Sequence, residues 1–127
     1  LAWTVFNSMF TKNAFFDHSD IKQISISSGE HVFFLDKSEQ KTVLRIINES
    51  LAINPAVLAS QAVGAGFSKM TFHGETGPDY ILLPLGYSGE NLIFQIVQFV
   101  PGDYYTEESQ GALKKIIENK LTVSSKN

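Results

Sequence analysis

Apolar positions along this chain change their spacing several times, and each change marks an element. Ile24 and Ile26 alternate with Ser25 and Ser27, the two-residue period of a strand with one wet face, so a strand is expected over 21–27. Ser28-Gly29-Glu30 is a turn signal, and the apolar run from His31 to Leu35 returns the chain as a second strand, closing a hairpin over 21–36. Met70 and Phe72 alternate with Lys69, Thr71 and His73, giving a third strand with one polar phase. Tyr80 to Leu85 and Leu92 to Val100 are apolar runs separated by Gly86-Tyr87-Ser88-Gly89-Glu90, expected as a loop, so the segment 67–100 is a three-stranded meander.

Between and around these strands the spacing lengthens to three and four. Ala2, Val5, Phe6, Met9 and Phe10 predict a short amphipathic helix over 2–12. Val43, Leu44, Ile47 and Leu51, widened by Ile46 and Ile53, predict a deeply buried helix over 39–53. Asp36 or Ser38 caps its start, and Asn54-Pro55 stops it, because proline disfavours the helical conformation of its predecessor. A final helix is expected over 106–121, capped by Thr106. Glu107 and Glu108 stand in its first turn, and Lys114, Lys115 and Lys120 follow, in the order that favours the helix dipole; Leu113, Ile116, Ile117 and Leu121 form its buried stripe.

The resulting order, α-β-β-α-β-β-β-α over a single domain 1–127, predicts an α+β fold: one antiparallel sheet of about five strands with helices packed on it. This order resembles that of profilin-like and PAS-like sensor domains, in which a five-stranded antiparallel sheet carries helices on a face. A sheet with one solvated side should alternate along every strand. Here His31–Leu35, Tyr80–Leu85 and Leu92–Val100 are apolar in both phases. Leaving Phe33, Phe94 and Phe99 in water would forfeit about 1.5–3 kcal/mol per side chain, so something must cover the second side. Either the N-terminal helix lies on one side with the two later helices on the other, or these are simply the central strands, or the second side lines a ligand pocket or meets a partner subunit.

Composition narrows the chemistry. With 43% hydrophobic and 18% charged residues and a formal charge of −3, the 127-residue chain has the make-up of an ordinary globular domain. Cysteine is absent, which excludes disulfides, cysteine-ligated metals, a thiolate nucleophile and a CxxC redox pair; it also leans slightly toward an extracytoplasmic site. A start at Leu1 fits a processed chain, an excised domain or a trimmed one equally. One arginine, Arg45, beside nine lysines leaves no guanidinium cluster for phosphates, so nucleic acid is not an expected partner. The uncharged stretch 51–68 is interrupted by Asn54, Pro55, Ser60, Gln61, Gly64 and Gly66 and is not a membrane span.

Candidate chemistry is sparse. Asp17-His18-Ser19-Asp20 and His73-Gly74-Glu75 offer metal ligands or acid–base pairs, but at no metal-site spacing, so neither a metal nor a cofactor is expected. Glu75 and Asp79 flank one turn near His73. The sequence around Ser88 lacks the second glycine and the following helix of a nucleophile elbow, and Gly64-Ala65-Gly66 lacks the third glycine of a dinucleotide loop. No complete catalytic constellation emerges. The expectation is a non-enzymatic ligand-binding or sensory/interaction domain that uses an apolar sheet face, with Lys69, Thr71, His73, Phe33 and Phe94 as the binding residues and a small ligand or a protein as partner. Two alternatives stand beside it: a self-associating structural protein forming a homodimer, and a small hydrolase using His73/Glu75 or Asp17/His18/Asp20.

Overall fold

The computed structural model describes residues 20–53, 64–98 and 104–125. The N-terminal helix expected over 2–12 lies outside them, as do Asp17, His18 and Phe99. The described residues form an α+β layer pair with one antiparallel sheet of seven strands and two helices. The strands are β1 (Ile21–Ser28), β2 (His31–Phe34), β3 (Leu51–Ile53), β4 (Lys69–Gly74), β5 (Tyr80–Ser88), β6 (Asn91–Ile96) and β7 (Tyr104–Thr106); the helices are α1 (Lys37–Asn48) and α2 (Ala112–Ser125). The sheet runs β2-β1-β4-β5-β6-β7-β3.

The expected hairpin is β1–β2, closed by a turn at Gly29, whose φ of +62° suits a residue without Cβ. The expected meander is β4–β5–β6. Helix α1 starts where the sequence placed it. Glu39 N–H donates to Asp36 Oδ1 at 2.8 Å and Asp36 N–H to Glu39 Oε1 at 2.9 Å, a reciprocal capping box. Its buried stripe is Val43, Leu44, Ile46 and Ile47, with Gln40 satisfied by donating to the Ile21 carbonyl.

Three expectations need correction. Helix α1 ends at Asn48 rather than residue 53, because Leu51–Ile53 turns away as β3 and pairs with Tyr104–Thr106. Gly86–Ser88 belongs to β5, so the loop shrinks to Gly89-Glu90. Thr106 is no helix cap: it sits in β7 between Ile93 and Leu51. Glu107 is likewise not a first-turn carboxylate. Its side chain is fully buried and accepts from Leu92 N–H at 2.6 Å and Ser109 N–H at 2.7 Å, while its own N–H donates to the Leu92 carbonyl. Helix α2 therefore starts only at Ala112, with Ser109 Oγ accepting from Leu113 N–H at 3.0 Å.

Both helices pack on one side of the sheet. Ile24, Ile26, Met70, Phe72, Leu82, Leu92, Phe94, Ile96 and Tyr105 meet Val43, Leu44 and Ile47 of α1 and Leu113 and Ile117 of α2 in a single core. Lys120 Nζ of α2 lies 2.8 Å from Glu39 Oε1, joining the helices at their partly shielded edge. The β5–β6 ladder carries a bulge between Pro84 and Gly86, so that Pro84 stands opposite Phe94 while Tyr87 stands opposite Leu92.

Candidate functional site

The side of the sheet away from the helices is built by the other phase of each strand. Cross-strand partners share a face, so the register Ser25↔Phe34, Ser27↔Val32, Ser25↔Thr71 and Thr71↔Ile81 places all of these on it, with Lys69 and His73 two residues either side of Thr71. Leu83 and Gln95, paired with each other, continue it. The surface is striped. A central polar band of Ser25, Ser27, Lys69, Thr71 and His73 runs between two apolar strips: Val32 and Phe34 on β2, each about half exposed (52% and 51%), and Leu83, Leu85 and Val97 beyond β4, all exposed. Toward β7 the same face closes, and Ile93 is fully buried.

Lys69, Thr71 and His73 are thus brought together in the middle of this face. Phe33 and Phe94 are not with them. Phe33 pairs with Ile26, and Phe94 with Pro84 and Tyr105, on the helix side. Phe94 is fully buried in the core, its ring centroid 5.8 Å from that of Tyr105, whereas Phe33 is half-buried and stacks on His31 at 6.0 Å.

His73 is the best-connected polar group of the band. Its Nε2 lies 3.0 Å from Ser25 Oγ and its Nδ1 3.3 Å from Asp79 Oδ2. Asp79 Oδ1 accepts from Gly74 N–H at 3.1 Å, which fixes the carboxylate at the turn where β4 ends. That turn is tight: a Cβ on Gly74 would stand 2.6 Å from the Pro78 carbonyl oxygen. A carboxylate beside Nδ1 keeps the proton on that nitrogen and leaves Nε2 to accept from the serine hydroxyl. Asp79, not Glu75, is the carboxylate paired with His73; Glu75 contributes its backbone N–H to the Asp20 carbonyl.

A serine, a histidine and an aspartate bonded in that order are the parts of a nucleophilic triad. Their exposure runs the opposite way to what acyl transfer needs. The accessible end is the Asp79 side chain, 52% exposed, while Ser25 is 3% exposed and lies mid-strand between β2 and β4. A substrate carbonyl has no path to Ser25 Oγ, and the arrangement serves as a cross-strand strut. Sequence reasoning found His73 and the turn carrying Asp79 but missed Ser25, which is 48 residues from His73 and looks like any other polar residue on the solvated phase of a strand.

Among the described residues no group of three or more histidine or acidic side chains could hold a metal ion, and no helix is long and apolar enough to cross a membrane. The class defined by the architecture is an α+β domain with one antiparallel sheet and, among the described residues, both helices on one side of it. Beyond that class the comparisons with known proteins give no closer assignment, for no protein-family model, curated protein or solved structure matches the chain.

Proposed function

We propose that this chain is a non-enzymatic interaction domain that docks a protein partner on the sheet face away from α1 and α2, the partner adding an extended apolar segment along β2. The observation that carries this reading is the exposure of Val32 and Phe34. Among the described residues β2 has a neighbour only on its β1 side, so its outer backbone groups are open to a further strand. Edge strands are commonly protected by lysine, proline or a bulge, and His31–Phe34 has none of these. An incoming strand would gain main-chain hydrogen bonds from β2 and set alternate apolar side chains beside Val32 and Phe34, the mode of β-strand addition. The polar band next to it supplies hydroxyls and the Lys69 ammonium for register.

The hydrolase alternative has the Ser25–His73 hydrogen bond in its favour and the burial of Ser25 against it.

Selection of a random peptide library on the intact chain tests the proposal. Selected peptides should carry alternating apolar residues, shift the backbone amides of 31–34 in an NMR titration, and lose affinity by about tenfold or more for Phe34→Lys, which adds a charge to the docking strip. Peptides that map elsewhere, or that bind Phe34→Lys unchanged, overturn it. A dimer in sedimentation that Phe34→Lys dissolves would instead give the edge to a second copy of this chain.

A further inference from the structure

The two apolar strips on the sheet face away from α1 and α2 differ in width. The β2 strip is one strand wide at the edge of the sheet, which suits an added strand. The other is two strands wide. Leu83 and Leu85 on β5 are 38% and 37% exposed, and Val97, just past β6, is 50% exposed. Val97 N–H donates to the Ile81 carbonyl at 2.9 Å, so Val97 stands beside Ile81 near the start of β5. Two strands span about 10 Å, and the run from Ile81 to Leu85 spans about 13 Å. That footprint matches one short helix, whose diameter with side chains is about 10–12 Å. Lys69, Thr71 and His73 bound it on the β4 side, and toward β7 Ile93 is already buried. A contiguous apolar patch with a polar border marks a contact surface.

The chain that leads into β1 supplies the occupant. The Asp20 carbonyl accepts from Glu75 N–H at 2.7 Å, continuing the β1–β4 ladder past Ile21 and Gly74. Residues 1–19 are therefore tethered at the end of the sheet where β4 turns into β5, the end that also carries Ile81 and Val97. At about 100° per residue Ala2, Val5, Phe6, Met9 and Phe10 fall on one side of a helix and Thr4, Asn7, Ser8 and Thr11 on the other. No charged residue occurs before Lys12. A helix this short is marginal alone in water and gains its stability by packing its apolar side. Over 2–10 it is about 13 Å long, the length of the strip. Residues 11–19 can reach up to about 30 Å, whereas β5 and β6 lie two and three strand spacings from β1, about 10–14 Å.

We infer that residues 2–10 fold back as a helix on the strip of Ile81, Leu83, Leu85 and Val97, making a third layer on the side of the sheet opposite α1 and α2. Phe6, at the centre of the apolar arc, meets Leu83, at the centre of the strip. Thr4, Asn7 and Ser8 face water. The segment brings no ionised group to the sheet, so nothing charged is desolvated when it docks. The helix covers neither β2 nor its outer edge; the partner site proposed there stays open, and the two readings fail separately.

Trp3 is the only tryptophan of the chain, so its emission reports on this segment alone. In the intact chain the emission should be blue-shifted from that of the urea-unfolded chain and shielded from acrylamide, to an extent that does not change on dilution. Leu83→Lys and Val97→Lys, both at exposed positions, should each red-shift it and raise the quenching toward the unfolded level, whereas Phe34→Lys on the β2 strip should leave it unchanged. The chain has no cysteine, so an introduced pair is read without background. Phe6→Cys combined with Leu83→Cys should close to a disulfide within one chain, which requires the two Cα atoms to come within about 7 Å; Phe6→Cys combined with Arg45→Cys, an exposed position on α1, should not. An exposed Trp3 in the parent chain overturns the inference, and a blue shift that then appears only with phosphatidylglycerol vesicles gives the segment to a bilayer surface instead. A shielded Trp3 that ignores both lysines, or that Phe34→Lys exposes, overturns the placement. Shielding lost on dilution, or a disulfide found only between chains, overturns it in favour of the segment of a second copy.

Discussion

Two polar clusters lie on opposite sides of the same sheet, and they differ in whether their hydrogen bonds are complete. On the open side Ser25, His73 and Asp79 form a closed chain: the hydroxyl has the imidazole, the imidazole has the carboxylate, and the carboxylate has the Gly74 N–H. On the helix side Tyr87 has a cation over its ring and two carboxylates in its field, but nothing at its hydroxyl. The first cluster contains the residues of a catalytic site and reads as structure, because all its members are satisfied by one another. The second contains no catalytic signature and leaves one buried member, the Tyr87 hydroxyl, unsatisfied. Residue type alone would have ranked them the other way.

The comparison can be broken most forcefully at Gly74. A Cβ there would collide with the Pro78 and Gly77 carbonyl oxygens, at 2.6 and 2.7 Å, so Gly74→Ala must displace the turn that holds Asp79. A loss of about 2–3 kcal/mol in urea unfolding is expected, in the range of overpacked sites. A variant as stable as the parent would show that the turn is loose and the strut unimportant.

Alkaline unfolding probes the other cluster. The phenol of Tyr87 is pushed up to about 12, first by burial and then by the negative charges of Glu118 and Glu107. In the unfolded chain it ionises near its ordinary value of about 10. Between about pH 10 and 12 the folded state therefore holds a proton that the unfolded state has released, and stability falls as pH rises through that window. The full effect is about 2–3 kcal/mol. It should be absent in Tyr87→Phe, which at neutral pH should be as stable as the parent or more so, since it deletes an unsatisfied buried oxygen. A Tyr87→Phe curve that tracks the parent's through alkali would mean the phenol is hydrated.

The smallest effect is expected at Ser25. Ser25→Ala removes one hydrogen bond from a half-buried imidazole that can turn to water, and should cost about 1 kcal/mol in the same unfolding measurement. The parent chain should also remain unlabelled by a fluorophosphonate probe, as a nucleophile closed to solvent must. Mass spectrometric modification at Ser25 would reverse the assignment and make the strut a hydrolytic centre.

How much of this was legible beforehand follows from how local each signal is. The β1–β2 hairpin and the β4–β6 meander were readable because a two-residue period bounded by glycine turns is a local pattern. The start of α1 was readable because Asp36 and Glu39 form the capping box within three residues of each other. Strands β3 and β7 were not, since three residues are too few to show a period: β3 exists because β7 pairs with it about fifty residues away, and β7 is held between β3 and β6. Leu51 and Ile53 even extend the helical stripe of α1, so local pattern argued for the wrong element. His73 was singled out, and the serine bonded to it was missed. The second cluster was invisible for the same reason: Tyr87 lay in an expected loop, and Lys114 and Glu118 looked like the solvated side of a helix.

The extra residue in β5 between Pro84 and Gly86 settles which compartment the phenol inhabits. Counting by twos from Leu82 and Pro84, position 87 would belong to the open surface beside Leu83; the inserted step reverses the parity and carries the ring through to the other layer. Forcing Leu85 into regular pairing would turn Tyr87 inside out and export its aromatic ring to the striped exterior, whereas deleting Leu85 would remove the irregularity and keep Tyr87 opposite Leu92. One irregularity in an otherwise regular ladder thus decides on which side of the sheet an aromatic ring is stored.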